Sequence, residues 1–275
     1  MESKELTIVI VTFKSEEKIT NCLKSISNEI PVIVVENSNN ENFRKKIEQS
    51  FNNVSCILTG ENKGYSFANN IGLNQVKTKY ALVLNPDTIL DKDAIQNFFV
   101  ASKKIADFWL IGPANDQMLN INFNKKNYIE VNNLKGFAIF FNLEKFNQKY
   151  FDENFFLFFE EIDLCKRVKR NKGKIYLLNN IIIKHDGASS VNLNNSLELE
   201  KNRNWHWMWS TFYYHKKYKG FILALILVFP KLLSATIKVL IFFLIFNKKK
   251  RNIYFCRLSG LFNSILGNKS WYRPS

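Results

Sequence analysis

The stretch YALVLNPDT, residues 80–88, joins an apolar run to three turn-forming residues. The run shows no alternation, which is typical of a strand that is covered on both faces. Because Asn, Pro and Asp all favour turns, the simplest interpretation of Asn85, Pro86 and Asp87 is a turn at a strand end. The alternative is that Asp87 binds a cation at the carboxyl end of a parallel sheet, where open α/β folds place their ligands.

Three earlier runs have the same character and begin at Leu6, Pro31 and Val54: LTIVIVTF, PVIVVEN and VSCILTG. Polar segments with a helical pattern separate them, and in the first of these Ser15 is placed to be an N-cap before apolar residues at helical spacing, Ile19 to Ile26. This βαβ series predicts an α/β domain with a parallel sheet. No GxGxxG follows the first strand, which argues against an NAD-binding fold and a P-loop.

Charge and cysteine content divide the chain further. The formal net charge is +15, and residues 201–275 contain fourteen Lys and Arg and no Asp or Glu. The cysteines, Cys22, Cys56, Cys165 and Cys256, form no CxxC pair, and the N-terminus does not read as a secretory signal, so we expect a reducing cytoplasm. We therefore predict a catalytic domain over 1–200 and a basic, aromatic and apolar membrane-association region over 201–275.

Polar clusters follow the apolar runs, where a parallel sheet brings strand ends together. They are Glu36 with Asn37, ENKGYSFANNIG at 61–72, Asn85 with Asp87, and EEID at 160–163 with KHDG at 184–187. We expect these clusters to converge on one site.

The chain resembles the bacterial family 2 glycosyltransferases, and in particular their rhamnosyltransferase-like branch. The resemblance rests on seven segments in the family's order: TIVIVTFKSEEKITNCLKSI, VIVVENS, NKGYSFANNIG, LNPDT, KGFAIFF, FDENFFLFFEEIDLCKR and IIKHDGAS. It covers residues 6 to about 190. It implies a GT-A fold (Rossmann-like, with a mostly parallel sheet and helices on both faces), a nucleotide-sugar donor, a divalent cation and inversion at the anomeric carbon.

The resemblance assigns the metal site. Asp87 matches the metal-binding carboxylate of the family, while Asn85 stands in place of the first carboxylate and is expected beside the donor. Mg²⁺ or Mn²⁺ tolerates one protein carboxylate when substrate phosphates and water complete the shell. His185 matches a histidine that reaches the metal in some relatives, although a structural histidine is the alternative.

The acids of EEID are the candidates for the base that takes a proton from the acceptor hydroxyl. Glu161 matches the usual base, with Glu160 beside it, and the longer glutamate replaces an aspartate. Asp163 shares a helical face with Glu160 and is the alternative base. A solvated face paired with Lys166 and Arg167 is the structural alternative, but the preceding FFLFF suggests a cleft that would raise a carboxyl pKa.

The donor pocket is assigned by the same resemblance. Glu36 matches an aspartate that binds the pyrimidine or ribose, with Thr12 and Phe13 in the same pocket; a charge at a helix N-terminus is the alternative for Glu36. The family's loop under the diphosphate is matched by Asn62, Gly64, Asn70 and Gly72.

The C-terminal region contains an apolar stretch from Phe221 to Phe246, long enough for one membrane span. Pro230, Lys231 and Lys238 interrupt it, and a lysine at the bilayer centre costs about 2.5 to 3.5 kcal/mol. Lys231, Ser234 and Lys238 share one helical face, so we predict a helix lying in the membrane interface, or two short helices hinged at Pro230.

Aromatic and basic residues flank this stretch. We expect tryptophans and tyrosines at headgroup level: Trp205, Trp207, Trp209, Tyr213 and Tyr214. The basic run 248–251 would meet anionic lipid at ~1 kcal/mol per charge. Stacking on RNA is the alternative use of such residues, but RNA binding does not require the apolar stretch. We therefore expect an anionic membrane surface and no nucleic acid as partner, at the cytoplasmic face of the plasma membrane.

Together with the predicted membrane-association region, the resemblance implies transfer of a sugar from dTDP-rhamnose or a UDP-sugar to a lipid-linked saccharide in cell-surface polysaccharide synthesis. Arg203 could meet a diphosphate of that acceptor, and an ordinary structural arginine is the equal alternative. Two alternatives stay open. A sugar nucleotidyltransferase would be expected to carry a glycine-rich basic loop after the first strand, and that loop is missing. A non-catalytic membrane scaffold is compatible with the Asn85 and Glu161 replacements.

Overall fold

A computed structural model describes residues 4–105, 107–114, 123, 127–147, 149–185 and 196–273. The chain forms two compact units: unit 1 consists of Met1–Asp152 and Glu161–Asn192, and unit 2 of Glu153–Glu160 and Leu193–Ser275. The predicted boundary between residues 200 and 201 stays a prediction.

Unit 1 is built on an eight-stranded sheet. Its strands, together with two that pair separately, are β1 (Leu6–Thr12), β2 (Val32–Glu36), β3 (Val54–Leu58), β4 (Tyr80–Leu84), β5 (Thr88–Leu90), β6 (Leu110–Pro113), β7 (Tyr128–Glu130), β8 (Ala138–Asn142), β9 (Ile175–Leu178) and β10 (Ile183–His185). The sheet order is β3-β2-β1-β4-β8-β6-β9-β7, with β1 to β4 parallel and β8 antiparallel to β4 and β6. The predicted α/β GT-A architecture with a mostly parallel sheet is confirmed.

The helices of unit 1 follow the strands in the predicted alternation. They are α1 (Glu16–Lys24), α2 (Glu41–Ser50), α3 (Tyr65–Gln75), α4 (Ala94–Lys104) and α5 (Glu160–Arg170), and the first residue of α5 belongs to unit 2. Ser15 occupies the N-cap position of α1 as predicted, but its hydroxyl makes no capping bond and donates to the carbonyl of Phe13 at 2.9 Å. Helix α1 ends at Lys24, so Ile26 lies beyond it.

Strand β1 shows why its sequence does not alternate. Every one of its residues is buried, with Ile8 and Ile10 in one apolar cluster and Val9 and Val11 in clusters on the other face. Helix α3 packs closely on that second face, because a Cβ added to Gly72 would lie 2.4 Å from Cγ1 of Val9. The carboxyl ends of β1, β2 and β4 therefore emerge side by side from a fully covered sheet.

Unit 2 contains three long helices, α6 (Ser196–Lys219), α7 (Phe221–Leu244) and α8 (Lys248–Ile265). The predicted headgroup location is wrong for Trp205 and Trp209, which are buried in this unit and donate from their indoles to Ser259 Oγ at 3.2 Å and to the carbonyl of Asn268 at 3.0 Å. A Cβ on Gly260 of α8 would lie 2.2 Å from the carbonyl oxygen of Trp205, so the two helices meet backbone to backbone. Trp207, by contrast, is 41% exposed.

Helix α7 is continuous through Pro230, so the alternative of two short hinged helices is wrong. Its buried stripe consists of Ala224, Val228 and Ala235, and most of its large apolar side chains are exposed. It is long and apolar enough to cross a membrane by length and composition. The ammonium of Lys238 lies 5.0 Å from the ring centroid of Tyr254 on α8.

Candidate active site

The turn between β4 and β5 places Asp87 at the carboxyl end of the sheet. Asp87 is 5% exposed, and the Thr88 hydroxyl closes the turn by donating to the carbonyl of Asn85 at 2.7 Å. Cys22 of α1 lies against the same turn, with Sγ 3.5 Å from Thr88 Oγ1. Burial raises the pKa of this thiol to about 11, and the charge of Asp87 adds to the effect. The two interpretations of LNPDT are compatible, because the turn itself presents the carboxylate.

His185 comes next to this turn through strand pairing. Strands β5 and β10 form a separate antiparallel pair in which His185 lies opposite Thr88. The backbone of His185 is thus adjacent to the residue that follows Asp87. Within the part of the chain that the structure describes, no group of three or more His, Cys, Asp and Glu is arranged to hold a metal ion.

Tyr65, at the start of α3, connects the turn to the segment before β8. Its phenolic oxygen lies 3.0 Å from Oδ1 of Asn85 and 3.1 Å from the carbonyl oxygen of Gly136. A Cβ on Gly136 would lie 3.6 Å from Cβ and Cγ of Glu161. The Tyr65 hydroxyl thus lies between Asn85 and Gly136, and Gly136 in turn lies beside Glu161.

Glu161 lies in the first turn of α5. Burial raises the pKa of its carboxyl above the ordinary value, while its own backbone N–H, that of Ile162 and the charge of Lys135 oppose the shift. A raised pKa makes the ionised carboxylate a stronger proton acceptor, which suits a base. Glu160 begins the helix and is buried.

Asp163 is placed differently. Its side chain is fully buried and accepts from Arg167 Nε at 2.8 Å, and Arg167 also donates to the carbonyls of Lys149 and Tyr150. The pairing with Arg167 that the structural alternative predicted is present, but Asp163 is buried and so does not lie on a solvated face. Arg167, which pairs with Asp163, thus joins α5 to the segment that precedes it in unit 1.

The residues before α5 carry backbone strain within unit 2. Phe158 and Phe159 both have φ of 70°, a left-handed conformation that costs non-glycine residues about 1 to 2 kcal/mol each. Both rings pack on Trp207, at centroid distances of 5.4 and 5.3 Å, and the hydroxyl of Ser210 donates to the carbonyl of Leu157 at 2.9 Å. Side chains of α6 thus hold the backbone that leads into Glu160.

The donor side of the predicted site is at the ends of β1 and β2, where Thr12 pairs with Glu36. Glu36 is 3% exposed, and burial raises its pKa to about 7 although Ser38 donates to the carboxylate. The helix-charge alternative does not fit, because α2 begins at Glu41. The buried hydroxyl of Thr12 has no hydrogen-bond partner among the described residues. Phe13 follows directly and is partly exposed.

Asn37, which the sequence placed in the polar cluster with Glu36 without a role of its own, organises the neighbouring loop. Its Nδ2 donates to Asn62 Oδ1 at 3.1 Å and to the carbonyl of Gly64, while its Oδ1 accepts from the Lys63 N–H at 3.0 Å. Gly64 has φ of 90° and ends this loop at the N-cap of α3, a conformation that favours glycine. The signal for Asn37 in the sequence was its position as a polar residue directly after the buried strand β2.

Asn70 does not face this loop with its amide. Its Nδ2 donates to the carbonyl of Phe151 and its Oδ1 accepts from the Phe151 N–H, both at 2.9 Å. This reciprocal pair fixes the segment before Asp152. Among the residues predicted to lie under the diphosphate, Asn62 and Gly64 form the loop, whereas Asn70 and Gly72 are used for packing and support.

Comparison with known proteins is consistent with this geometry. The family described as "Glycosyl transferase family 2" matches residues 7–165. Among curated proteins, the low-salt glycan biosynthesis hexosyltransferase Agl10 of Haloferax volcanii is 28% identical over 62% of this chain and 64% of its own. The teichoic acid poly(glycerol phosphate) polymerase of Staphylococcus epidermidis is 31% identical over 33% of this chain and 14% of its own. The chain thus spans less than two thirds of the length of either relative.

Solved structures share the fold. Residues 1–349 of S. aureus TarS superpose with a TM-score of 0.55 at 14% identity, over 98% of this chain and 93% of that one. The same fragment in complex with UDP-GlcNAc gives a TM-score of 0.54 at 13% identity with the same coverage. At these identities the likeness shows the fold alone. The family match covers more than half of the chain, and the chain therefore belongs to glycosyl transferase family 2.

Proposed function

We propose that the protein is a membrane-associated inverting glycosyltransferase that moves a sugar from a nucleoside diphosphate to a lipid-linked saccharide in cell-surface polysaccharide synthesis. One observation carries the proposal. In a member of this family, Tyr65 joins the turn that presents Asp87 to the segment that backs Glu161. A buried carboxylate at the sheet end and a carboxyl with a raised pKa are the two groups that sugar transfer from a diphosphate requires.

The donor we favour is a UDP-sugar, with dTDP-rhamnose as the alternative. S. aureus TarS has been solved with UDP-GlcNAc and with UDP, which supports a uridine nucleotide for this fold. Glu36 and Thr12 present a carboxyl and a buried hydroxyl where the pyrimidine or ribose would lie. Asn62 and Gly64 would contact the diphosphate, because Gly64 leaves backbone open to a close approach.

A divalent cation fits the residues present. Asp87 offers one carboxylate, and the backbone of His185 is adjacent to its turn, so Mg²⁺ or Mn²⁺ would take its other ligands from phosphate and water. When bound, the cation neutralises the charge that develops on the leaving diphosphate. Asp87 would hold it, and Asn85, whose amide is fixed by Tyr65, would orient the donor beside it.

Glu161 would act as the base. The acceptor hydroxyl oxygen forms the new bond to the anomeric carbon, the bond to the diphosphate oxygen breaks, and the hydroxyl proton passes to the Glu161 carboxylate. The raised pKa makes that carboxylate a better proton acceptor. Asp163 is a weaker candidate because it is already engaged by Arg167.

The acceptor is proposed to be bound at a membrane. Helix α7 exposes apolar side chains along its length, and cations flank it at Lys216, Lys217, Lys219 and 248–251. Lys231, Ser234 and Thr236 are exposed near its middle, which favours a helix lying in the interface over one that spans. A peripheral position on the cytoplasmic face would place the enzyme beside lipid-linked saccharides.

A donor screen tests this function. The purified full chain is mixed with MnCl₂ and single donors (UDP-GlcNAc, UDP-glucose, UDP-galactose or dTDP-rhamnose), and thermal stabilisation and slow donor hydrolysis are measured. We expect one donor to raise the melting temperature and to be hydrolysed, and Asp87→Asn to abolish both effects. If no donor is bound or hydrolysed by the wild-type chain, the enzyme proposal is wrong and a non-catalytic scaffold is the better description.

A further inference from the structure

We propose that Tyr65 is a positioning residue for glycosyl transfer. Its hydroxyl holds the turn that contains Asn85 and Asp87 against the segment of Gly136, which lies beside Glu161. This inference rests on the proposed function, since it assigns a role within the same site. The family resemblance did not single out Tyr65, and its signal in the sequence is only a hydroxyl-bearing ring that opens helix α3.

The hydroxyl joins two segments that are distant in sequence. Asn85, 3.0 Å away, shares a closed turn with Asp87, because Thr88 donates both its hydroxyl and its N–H to the Asn85 carbonyl. The Gly136 carbonyl, 3.1 Å away, belongs to the segment that enters β8. A shift of the hydroxyl would therefore move both the Asn85 amide, which lies in the same turn as Asp87, and the Gly136 backbone next to Glu161.

Gly136 is in direct reach of the base. The space where its side chain would begin lies 3.6 Å from Cβ and 3.8 Å from Cδ of Glu161. The Gly136 backbone is thus part of one wall of the partly exposed Glu161 side chain, whose carboxyl pKa is raised chiefly by burial. Loosening this wall would let water in and lower that pKa toward its ordinary value.

Tyr65 is itself held firmly enough to act as a fixed point. Gly64, just before it, is tied to Asn37 and Asn62. The Tyr65 ring packs edge-on against Phe151 at 6.4 Å, and the Phe151 backbone is clamped by Asn70. These supports explain why the Asn70 amide points away from the donor loop. They also mean that phenylalanine at position 65 would keep the ring contacts and remove only the hydroxyl.

The test compares Tyr65→Phe, Asn85→Ala and their combination in the full chain. The assay measures transfer from the donor found in the screen to a detergent extract of polyprenyl-linked saccharides, together with acceptor-free donor hydrolysis. For Tyr65→Phe we expect kcat for transfer to fall about tenfold, equivalent to 1.4 kcal/mol, with donor KM within about twofold. We also expect the acid limb of the kcat profile to move to lower pH. The double variant should lose less than the product of the two single effects.

Tyr176→Phe is the matched control, because it removes a tyrosine hydroxyl on β9, where the ring packs against Tyr128. It should leave kcat and the pH profile unchanged. Wild-type kcat and pH profile in Tyr65→Phe, or strictly multiplicative effects with Asn85→Ala, would overturn the positioning role while leaving the proposed function intact. Absence of turnover by the wild-type chain with every donor would overturn both.

Discussion

His185 lies directly opposite Thr88, the residue that follows Asp87, in the antiparallel pair of β5 and β10. This pairing brings two segments almost a hundred positions apart in the sequence to the same turn. Whether the cation is held by Asp87 alone or with His185 decides how strongly donor binding depends on metal. Replacing Asp87 and His185 separately tests which of them holds the cation.

Replacing Asp87 should uncouple nucleotide binding from metal. In Asp87→Asn the side chain keeps its shape but loses its charge, so we expect UDP affinity in MnCl₂ to fall at least about tenfold, toward the metal-free value. Titration calorimetry with and without MnCl₂ measures this, and Asp91→Asn, at an exposed position of the same segment, is the control. A further loss in His185→Ala would identify a second protein ligand. Unchanged metal-dependent affinity in Asp87→Asn would refute the ligand role.

Glu161→Gln should separate binding from chemistry. Loss of the base is expected to reduce kcat for transfer about 10²- to 10⁴-fold while donor affinity stays within about twofold. Because burial raises the pKa of Glu161, the wild-type base is protonated and inactive below that pKa, so kcat should rise with pH through a midpoint above about 4.3, the ordinary glutamate value. Glu144→Gln, at an exposed position, should have no effect. Transfer at wild-type rate in Glu161→Gln would exclude this residue as the base.

Glu36 should make stability fall as pH rises. Its folded pKa of about 7 lies above the unfolded value of 4.5, so folding takes up a proton between these limits. The associated stability is fully present below pH 4.5 and is lost as pH rises through 7, by on the order of 3 kcal/mol at most. Urea unfolding at acidic and mildly alkaline pH should show this loss in the wild type and a smaller one in Glu36→Gln. Equal pH dependence in the two proteins would argue against a protonated Glu36.

The sheet and the turn that contains Asp87 were predictable from the sequence because their signals are local. Runs without alternation, such as LTIVIVTF, require cover on both faces, and turn formers after a buried strand mark its end. The burial of Trp205 was not predictable, because an indole suits a headgroup region as well as a helix interface, and only the approach of Gly260 decides between them. The role of Tyr65 likewise depends on loops that meet only in the fold.

Gly260→Ala should destabilise unit 2. The added methyl would lie 2.2 Å from a backbone oxygen of α6, which cannot move as a side chain could. We expect a loss of about 1 to 3 kcal/mol in unfolding free energy, measured by denaturant titration. Lys249→Ala, at an exposed position of α8, serves as the control. A stability equal to wild type would mean that α6 and α8 pack less closely than described.

The apolar exterior of α7 should mediate membrane binding. Ile226, Leu233 and Leu240 are exposed and spaced by seven residues, so they share one side of the helix. Replacing all three with glutamate would place charges along that side and leave the buried stripe of α7 unchanged. We expect the triple variant to lose cosedimentation with vesicles containing phosphatidylglycerol, and wild-type binding to weaken in high salt. Unaltered vesicle binding by the variant would contradict the interfacial role of α7.

The most direct test of the account is transfer of a radiolabelled sugar from a UDP-sugar or dTDP-rhamnose to a polyprenyl-linked saccharide extract by the purified full chain. We predict label in the lipid fraction with the donor that the screen selects, release of the nucleoside diphosphate in equal amount, and loss of both in Glu161→Gln and Asp87→Asn. No labelled lipid with any donor, or labelling by both variants equal to that of the wild-type chain, would contradict the assignment of this site to glycosyl transfer.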